Sequence, residues 1–511
     1  MELDLLLKDG RIVDGTGAPW FRGSIGVKDG TIETVDLDGL ALSPGFIDLH
    51  SHSNLRLFPN PELEPKTMQG ITTELLGQDG FSMAPMYREG GAQEWEDHIS
   101  GLDGRADREW EWGSTTDYFD AIDENGVAPN MAMLVGHGTV RFNVMGMDNR
   151  LPDGDELEEM ADLVTEALEE GAIGFSTGLI YTPHTNSDTH EVQTLAGRLS
   201  EYGRPFVAHI RNERDDIWEA LDEFVDIGDE EGIPLHLSHF KTAGSKQHGR
   251  SGRAIELLEA ARERGVDITA DQYPYRAGST MLASFLPSWA RAEGSEATLE
   301  YLRGDREEIR DHLEGGTRTA WEDVFVTSVV TETNEQYVGM SIEEIAEARD
   351  EPPAVSVMDI LLEEKLEVEH YSYHSIEDDV RNILQYERAA VATDGLLGGE
   401  PHPRTYGTYP RVLGTYAREE NLFSTEEAIR MMTSLPARVL GLEDKGVISE
   451  GKDADLVAFD PRTVSTPATY EEPRQHPEGM PHVLVDGEFV VRDGEHTGAT
   501  PGTTIRKGVS D

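Results

Sequence analysis

Ser43-Pro44-Gly45-Phe46-Ile47-Asp48-Leu49-His50-Ser51-His52 is the stretch that decides how this chain is read. A Pro-Gly turn leads into a short apolar run, and the run ends in His-x-His. Residues two apart on a strand point to the same side, so His50 and His52 project together from one strand end. Two imidazoles presented in that way are half of a metal site.

Outward from this strand, apolar runs alternate with amphipathic helical stretches. Strands are expected near 46–50, 71–76, 131–136, 172–176, 205–209, 234–239, 266–271 and 389–394. Helical periodicity lies between several of them, at 155–170, 215–229 and 253–264. Eight strands alternating with helices predict an α/β fold, a (β/α)8 TIM-like barrel, with a doubly wound sheet as the alternative topology. The long interval of about 280–388 is an insertion after the seventh strand, with a strand-like run at 324–330 and a lid as one reading of its role.

The two ends of the chain are β-rich. Asp9-Gly10, Asp29-Gly30 and Asp486-Gly487 each lie between short apolar strands. Asp-Gly is favoured in two-residue hairpins because both positions take positive φ. A further strand pattern sits at 454–459. The expected organisation is a small β-sandwich domain built from both chain termini, 1–43 and 441–511, around a barrel over 44–440.

Composition limits the partners. There are 99 acidic and 43 basic side chains, a formal net charge of −56. Phosphate binding needs Lys/Arg patches, so nucleic acid is excluded as a partner, as is an anionic membrane surface. The acid is spread along the chain, which fits a solvated surface suited to high salt, a halophilic character; an ordinary acidic enzyme is the alternative. There is no cysteine, so disulfides and thiolate ligands are excluded. No basic-then-apolar leader and no membrane-length apolar run is visible, and a cytoplasmic protein is expected.

Barrel active sites are built at the carboxyl ends of the strands, and the candidate ligands fall there. The first strand ends in His50 and His52, and the second leads to Asp79. The fifth ends in His209, the sixth in His239 and the eighth in Asp394. Four imidazoles and two carboxylates suffice for one or two divalent ions with positions left for water. Arg211 and Lys241 each lie two residues beyond a candidate histidine and could hold a substrate carboxylate or merely balance local acid. His236, an odd step from His239, is expected to face outward as a structural residue. His137 ends the third strand, either behind the ligands or structural. His184, His190, His374 and His402 fall on loops and carry no assignment.

With these residues in view, the chain resembles the amidohydrolase superfamily, and within it the N-acyl-D-amino-acid deacylases (D-aminoacylases), over nearly its whole length. The resemblance rests on the 43–52 stretch, Gly77-Gln78-Asp79-Gly80-Phe81-Ser82, Gly174-Phe175-Ser176-Thr177-Gly178, His209-Ile210-Arg211-Asn212-Glu213, Ser238-His239-Phe240-Lys241, Ala270-Asp271-Gln272-Tyr273-Pro274-Tyr275, Thr393-Asp394-Gly395 and His402-Pro403-Arg404-Thr405-Tyr406-Gly407. It implies a metal-dependent hydrolase that cleaves N-acyl-D-amino acids. In that reading His50 and His52 form one half-site, and His209, His239 and Asp79 form the tighter one. Asp394 is general base and acid. Lys241, Tyr273, Ser279 and Arg381 surround the substrate's carboxylate or oxyanion. Many relatives place Cys where Asp79 stands, and a carboxylate is a harder donor than a thiolate. Zinc is the expected cofactor, as one or two ions, with manganese or cobalt as alternatives. His184 stands where relatives often have Gly. A cyclic-amide hydrolase and a non-catalytic scaffold are the rival functions.

Overall fold

In the computed structural model, which describes residues 3–28, 33–316 and 319–508, eight parallel strands form the centre of the molecule. They are Phe46–Asp48, Ile71–Leu76, Asn130–Gly136, Gly174–Gly178, Phe206–His209, Leu235–Leu237, Ile268–Gln272 and Ala389–Val391. Each pairs with the next in chain order. The first and last meet through the parallel bridge Ser51–Gly395 and the hydrogen bond from Asp394 N to His50 O at 2.9 Å. The sheet is a (β/α)8 barrel, as expected. All seven residues of Asn130–Gly136 are buried, which is why these strands read as unbroken apolar runs.

The outer helices form where the periodicity placed them. Gly154–Glu169 begins in a capping box, with the Asp153 side chain accepting from Glu156 N while Glu156 reaches back. Ile217–Glu231 buries Ile217, Leu221, Phe224 and Val225 against the barrel. It also needs Gly228, because a Cβ there would lie 2.5 Å from Leu235 of the sixth strand.

Both chain ends join in one separate eight-stranded sheet. The link is the antiparallel pairing of Ala41–Pro44 with Leu456–Phe459. Asp486-Gly487 is the expected hairpin turn, with φ of +46° and +82°. Asp9-Gly10 is not a turn. Leu5–Ile12 runs through it as one strand, and the pairing with Phe21–Val27 shifts register between Leu7 and Gly10. The positive φ of Asp9 makes a bulge there, a second use of the same dipeptide. Asp29-Gly30 lies outside the described residues. The tail does not stay with the sheet: Thr503, Ile505 and Met131 exchange backbone hydrogen bonds at the foot of the barrel. We propose the partition at 43/44 and 440/441 as one of folding units, with this tail returning to the barrel.

The insertion has its own three-stranded antiparallel sheet, Ala277–Met281, Glu369–Tyr373 and Val324–Ser328, with Glu369–Tyr373 in the middle. Helices Gly294–Gly304, Ile342–Arg349 and Pro353–Glu363 pack around it. Leu282, Leu302, Val326, Ile345 and Ile360 form its core. It stands over the carboxyl ends of the barrel strands.

Candidate active site

Three of the candidate ligands occupy backbone positions that L-residues seldom adopt. Asp79, His239 and Asp394 have φ of +56°, +36° and +50°. Each ends a strand's excursion with a left-handed turn, which swings its side chain into the barrel mouth. His209 reaches the same place from the end of its strand, and His50 and His52 from the segment just beyond theirs.

Asp79 is the centre of the cluster. Its Oδ1 lies 3.8 Å from His50 Nε2, 3.7 Å from His209 Nδ1 and 3.7 Å from His239 Nε2. Asp394 Oδ1 lies 3.6 Å from His50 Nε2 and 3.4 Å from His52 Nε2. Two overlapping triads result, His50–Asp79–His239 and His50–His52–Asp394, each with ligand atoms within 4.8 Å of one another. Both ring nitrogens of His50, His52 and His209, and Asp79 Oδ1, are buried without a hydrogen-bond partner. Buried polar atoms are almost always paired, so this many orphans converging on two carboxylates fit a divalent cation and little else.

The back of the cluster holds the rings in place. Glu213 Oε1 is 3.0 Å from His239 Nδ1, and its Oε2 is 3.7 Å from His209 Nε2. Asp103 lies 3.4 Å from His52 Nδ1. Carboxylates on the far nitrogen orient metal-binding imidazoles. Burial opposes charge on His52, yet Asp103 and Asp394 raise it to about 10. Burial and Lys241 oppose charge on His239, and Glu213 and Asp79 raise it to about 9. His50, dominated by burial, falls to about 4. Burial pushes the Asp79 carboxyl up, but His50, His209 and His239 hold it well below the usual range. The raised values of His52 and His239 reflect the carboxylates gathered around them, which would equally favour a bound cation.

A cavity of ≈ 450 Å³ opens onto the cluster. Asp79, His209 and Asp394 form its floor, with Lys241 and Tyr273 beside them and Ser279 and His370 of the insertion opposite. Ser279 Oγ donates to His370 O at 2.9 Å.

Other expectations do not hold in space. Arg381 is not in the cavity wall. It sits on helix Glu377–Leu384 and is bound by Glu420 at 2.8 and 2.9 Å, a solvated ion pair on the outer layer. Arg211 is held by Glu223 at 3.0 Å and does not reach the cavity. His236 faces inward, between Thr269 at 2.8 Å and Asp271 at 2.8 Å. Parity misplaced it because the extended run ends at Leu237 and His239 adopts positive φ, so alternation does not carry across. His137 bonds Thr177 and Glu191 behind the site. His184 Nε2 lies 2.9 Å from the carbonyl of Asp79 and supports that turn. His402 accepts from the backbone N–H of Arg404. His374 lines the cavity, and His190 is exposed.

Sequence reasoning missed Glu213, Asp103, Arg291 and Arg404. Arg404 is fully buried and donates to Asp394 Oδ2 at 2.7 Å and to Ser279 O at 2.9 Å. It follows His402 by two residues in the quoted motif, which was its only signal. Glu213 closes the quoted 209–213 stretch, four residues beyond His209.

A buried His/Asp cluster of this kind at the carboxyl end of a (β/α)8 barrel, opening on a cavity, defines the class: a metal-binding barrel hydrolase. The chain belongs to the amidohydrolase family, which it matches over residues 33–491. It is 34% identical to a D-aminoacylase of Alcaligenes xylosoxydans xylosoxydans, over 99% of this chain and 98% of that one. It is 33% identical to an N-acyl-D-aspartate deacylase of the same organism, over 99% and 96%. A crystal structure of N-acyl-D-glutamate deacylase from Bordetella bronchiseptica, complexed with zinc and a phosphonate mimic of the tetrahedral intermediate, superposes with a TM-score of 0.85. That protein is 32% identical, and the match covers 99% of this chain and 100% of that one.

Proposed function

We propose that this protein hydrolyses the amide bond of N-acyl-D-amino acids, giving a carboxylate and a free D-amino acid. The observation that carries the reading is the set of orphaned ligand atoms on His50, His52, His209 and Asp79, with His52, His209 and Asp79 lining the cavity and His50 behind them. His209, His239 and Asp79 would hold one divalent ion and His50 and His52 a second, with zinc first and manganese or cobalt as alternatives because Asp79 is a hard donor. When bound, such an ion supplies Lewis acidity, polarising the amide carbonyl and lowering the pKa of water.

The chain's own groups do the rest. Burial pushes the Asp394 carboxyl up, but Arg404, His50 and His52 hold it well below the usual range, so it is an anion ready to accept a proton. Asp394 takes a proton from water and returns it to the leaving nitrogen. Lys241, Tyr273 and Ser279 line the cavity where the amino acid's carboxylate would lie. Residues of the insertion, Ser279, Phe285 and His370 among them, line the far side of the cavity.

One observation narrows the side chain. Arg291 lines the cavity, and among the described residues its guanidinium donates to the carbonyls of Leu286 and Ile180, both at 3.0 Å. Among the described residues no carboxylate pairs with it. Burial lowers it to about 10, still charged at neutral pH. A buried cation without a counter-ion in so acidic a chain supports an acidic substrate side chain. We place the enzyme in the cytoplasm of a salt-rich cell. The spread of acidic charge supports the salt.

A metal-replete hydrolysis screen over paired D and L N-acyl amino acids tests the reading. The expected result is turnover of D substrates, with N-acetyl-D-glutamate or N-acetyl-D-aspartate ahead of N-acetyl-D-leucine, and an Arg291→Leu variant that loses this order. Turnover of L substrates alone, or ring opening of cyclic amides alone, would overturn it.

A further inference from the structure

The barrel's sparsest backbone pairing among the described residues falls at the site. Seven neighbouring strand pairs are joined by ladders, but among the described residues no ladder joins Ala389–Val391 to Phe46–Asp48. His50 and His52 stand on one side of this seam and Asp394 on the other. Their spacing depends on what closes it.

The backbone contributes the Ser51–Gly395 bridge and the hydrogen bond from Asp394 N to His50 O at 2.9 Å, and buried side chains supply the rest. The Asp48 carboxylate straddles the seam: Oδ1 accepts from Thr393 N at 2.9 Å and from His50 N at 3.3 Å, and Oδ2 accepts from Thr393 Oγ1 at 2.6 Å. Lys66 then locks both partners, donating to Asp48 Oδ2 at 2.9 Å and to Thr393 Oγ1 at 2.7 Å. Lys66, Asp48 and Thr393 are all completely buried. Lys66 also reaches Ser51 Oγ at 3.3 Å, and Glu74 lies 3.8 Å away. Lower down, Tyr409 Oη sits between Ile47 O at 3.0 Å and Val391 O at 3.1 Å, one carbonyl from each strand.

A lysine enclosed in this way is costly unless its ammonium is fully paired. Stability alone is a weak reason for such a pair, since well-packed apolar residues in place of both partners are often as stable. What the ion pair adds is direction. It fixes the Thr393 hydroxyl, and so backs up the direct hydrogen bond from Asp394 N to His50 O in setting Asp394 relative to His50.

We propose that Lys66 and Thr393, acting through Asp48, are positioning residues that set the separation between Asp394 and the His50/His52 pair. The proposal rests on the hydrolase reading given above for the role of Asp394. The geometry of the seam itself does not depend on that reading. A misplacement near 1 Å at a reacting group can cost about 10²-fold in rate.

Thr393→Val removes the hydroxyl and keeps the volume, and Thr393→Ser restores the hydroxyl. Lys66→Met is the companion variant, and if it does not fold the threonine pair still decides. The full-length protein is assayed for kcat and KM, for thermal unfolding, and for the visible absorption and stoichiometry of added Co2+. Expected for Thr393→Val is a kcat loss of about 10- to 100-fold with KM within about twofold, together with an altered Co2+ spectrum. Thr393→Ser should recover both. A Thr393→Val protein with near-wild-type kcat and Co2+ spectrum would overturn the proposal, as would equal losses in the Val and Ser variants. If the wild type does not cleave N-acyl-D-amino acids, the hydrolase reading fails, and the Co2+ spectra still report whether the hydroxyl sets the site.

Discussion

Arg404 donates to Asp394 Oδ2 at 2.7 Å and leaves Oδ1 turned toward His50 and His52, at 3.6 and 3.4 Å. One carboxylate oxygen is committed to a fixed cation, and the other faces the two histidines. This division supports the proposed role of Asp394 as the base. Asp394→Asn keeps the shape and loses the base, so kcat should fall about 10²- to 10⁴-fold while bound metal is retained. Steady-state kinetics with metal analysis on the same preparation check it. A near-wild-type kcat with metal bound would remove Asp394 from the mechanism.

Asp79 touches three histidines through a single oxygen, at 3.7 to 3.8 Å. Loss of that carboxylate should release the tighter ion. Asp79→Ala is expected to lower metal content after dialysis, and Asp79→Cys to shift preference toward zinc, the softer pairing. Competition of Zn2+ against Mn2+ in equilibrium dialysis measures both. Full occupancy in Asp79→Ala would make this residue only a turn.

Glu369 carries a pH dependence of its own. It is buried, and its Oε2 has no partner. Burial pushes its carboxyl up to about 7, against the pull of Arg56, His52 and Arg474. Its folded pKa therefore lies above the ordinary 4.5. Between these values the folded state holds the extra proton, so stability falls as pH rises from about 4.5 to about 7. Glu369→Gln keeps the neutral form at all pH. It should stabilise the protein at pH 8 by roughly 1–3 kcal/mol and change little at pH 5. Thermal unfolding at the two pH values decides, and an equal shift at both would contradict the assignment.

The charge of −56 predicts a requirement for salt. The screening length is about 30 Å at 0.01 M salt and about 3 Å at 1 M. Repulsion that spans much of the fold in dilute buffer should almost vanish at molar salt. The melting temperature is expected to rise from dilute to molar potassium chloride, well past the physiological range. Sodium chloride should act equally. A flat or falling curve would leave the acidity without this explanation.

The sequence by itself determined the barrel, because strand and helix periodicities are local and the expected strands coincide with the observed ones to within a few residues. It also determined which residue types gather at the strand ends, from His50 to Asp394. Tertiary structure decided the rest. It turned His236 inward and left Arg381 on the surface with Glu420. It brought Arg404 onto Asp394 and Glu213 onto His209 and His239. Alternation predicts direction only along extended backbone, and the left-handed turns at Asp79, His239 and Asp394 break that count where the site begins. Pairs such as Asp48 and Thr393, 345 residues apart, leave no local pattern at all. They exist because the barrel closes, and only closure shows them.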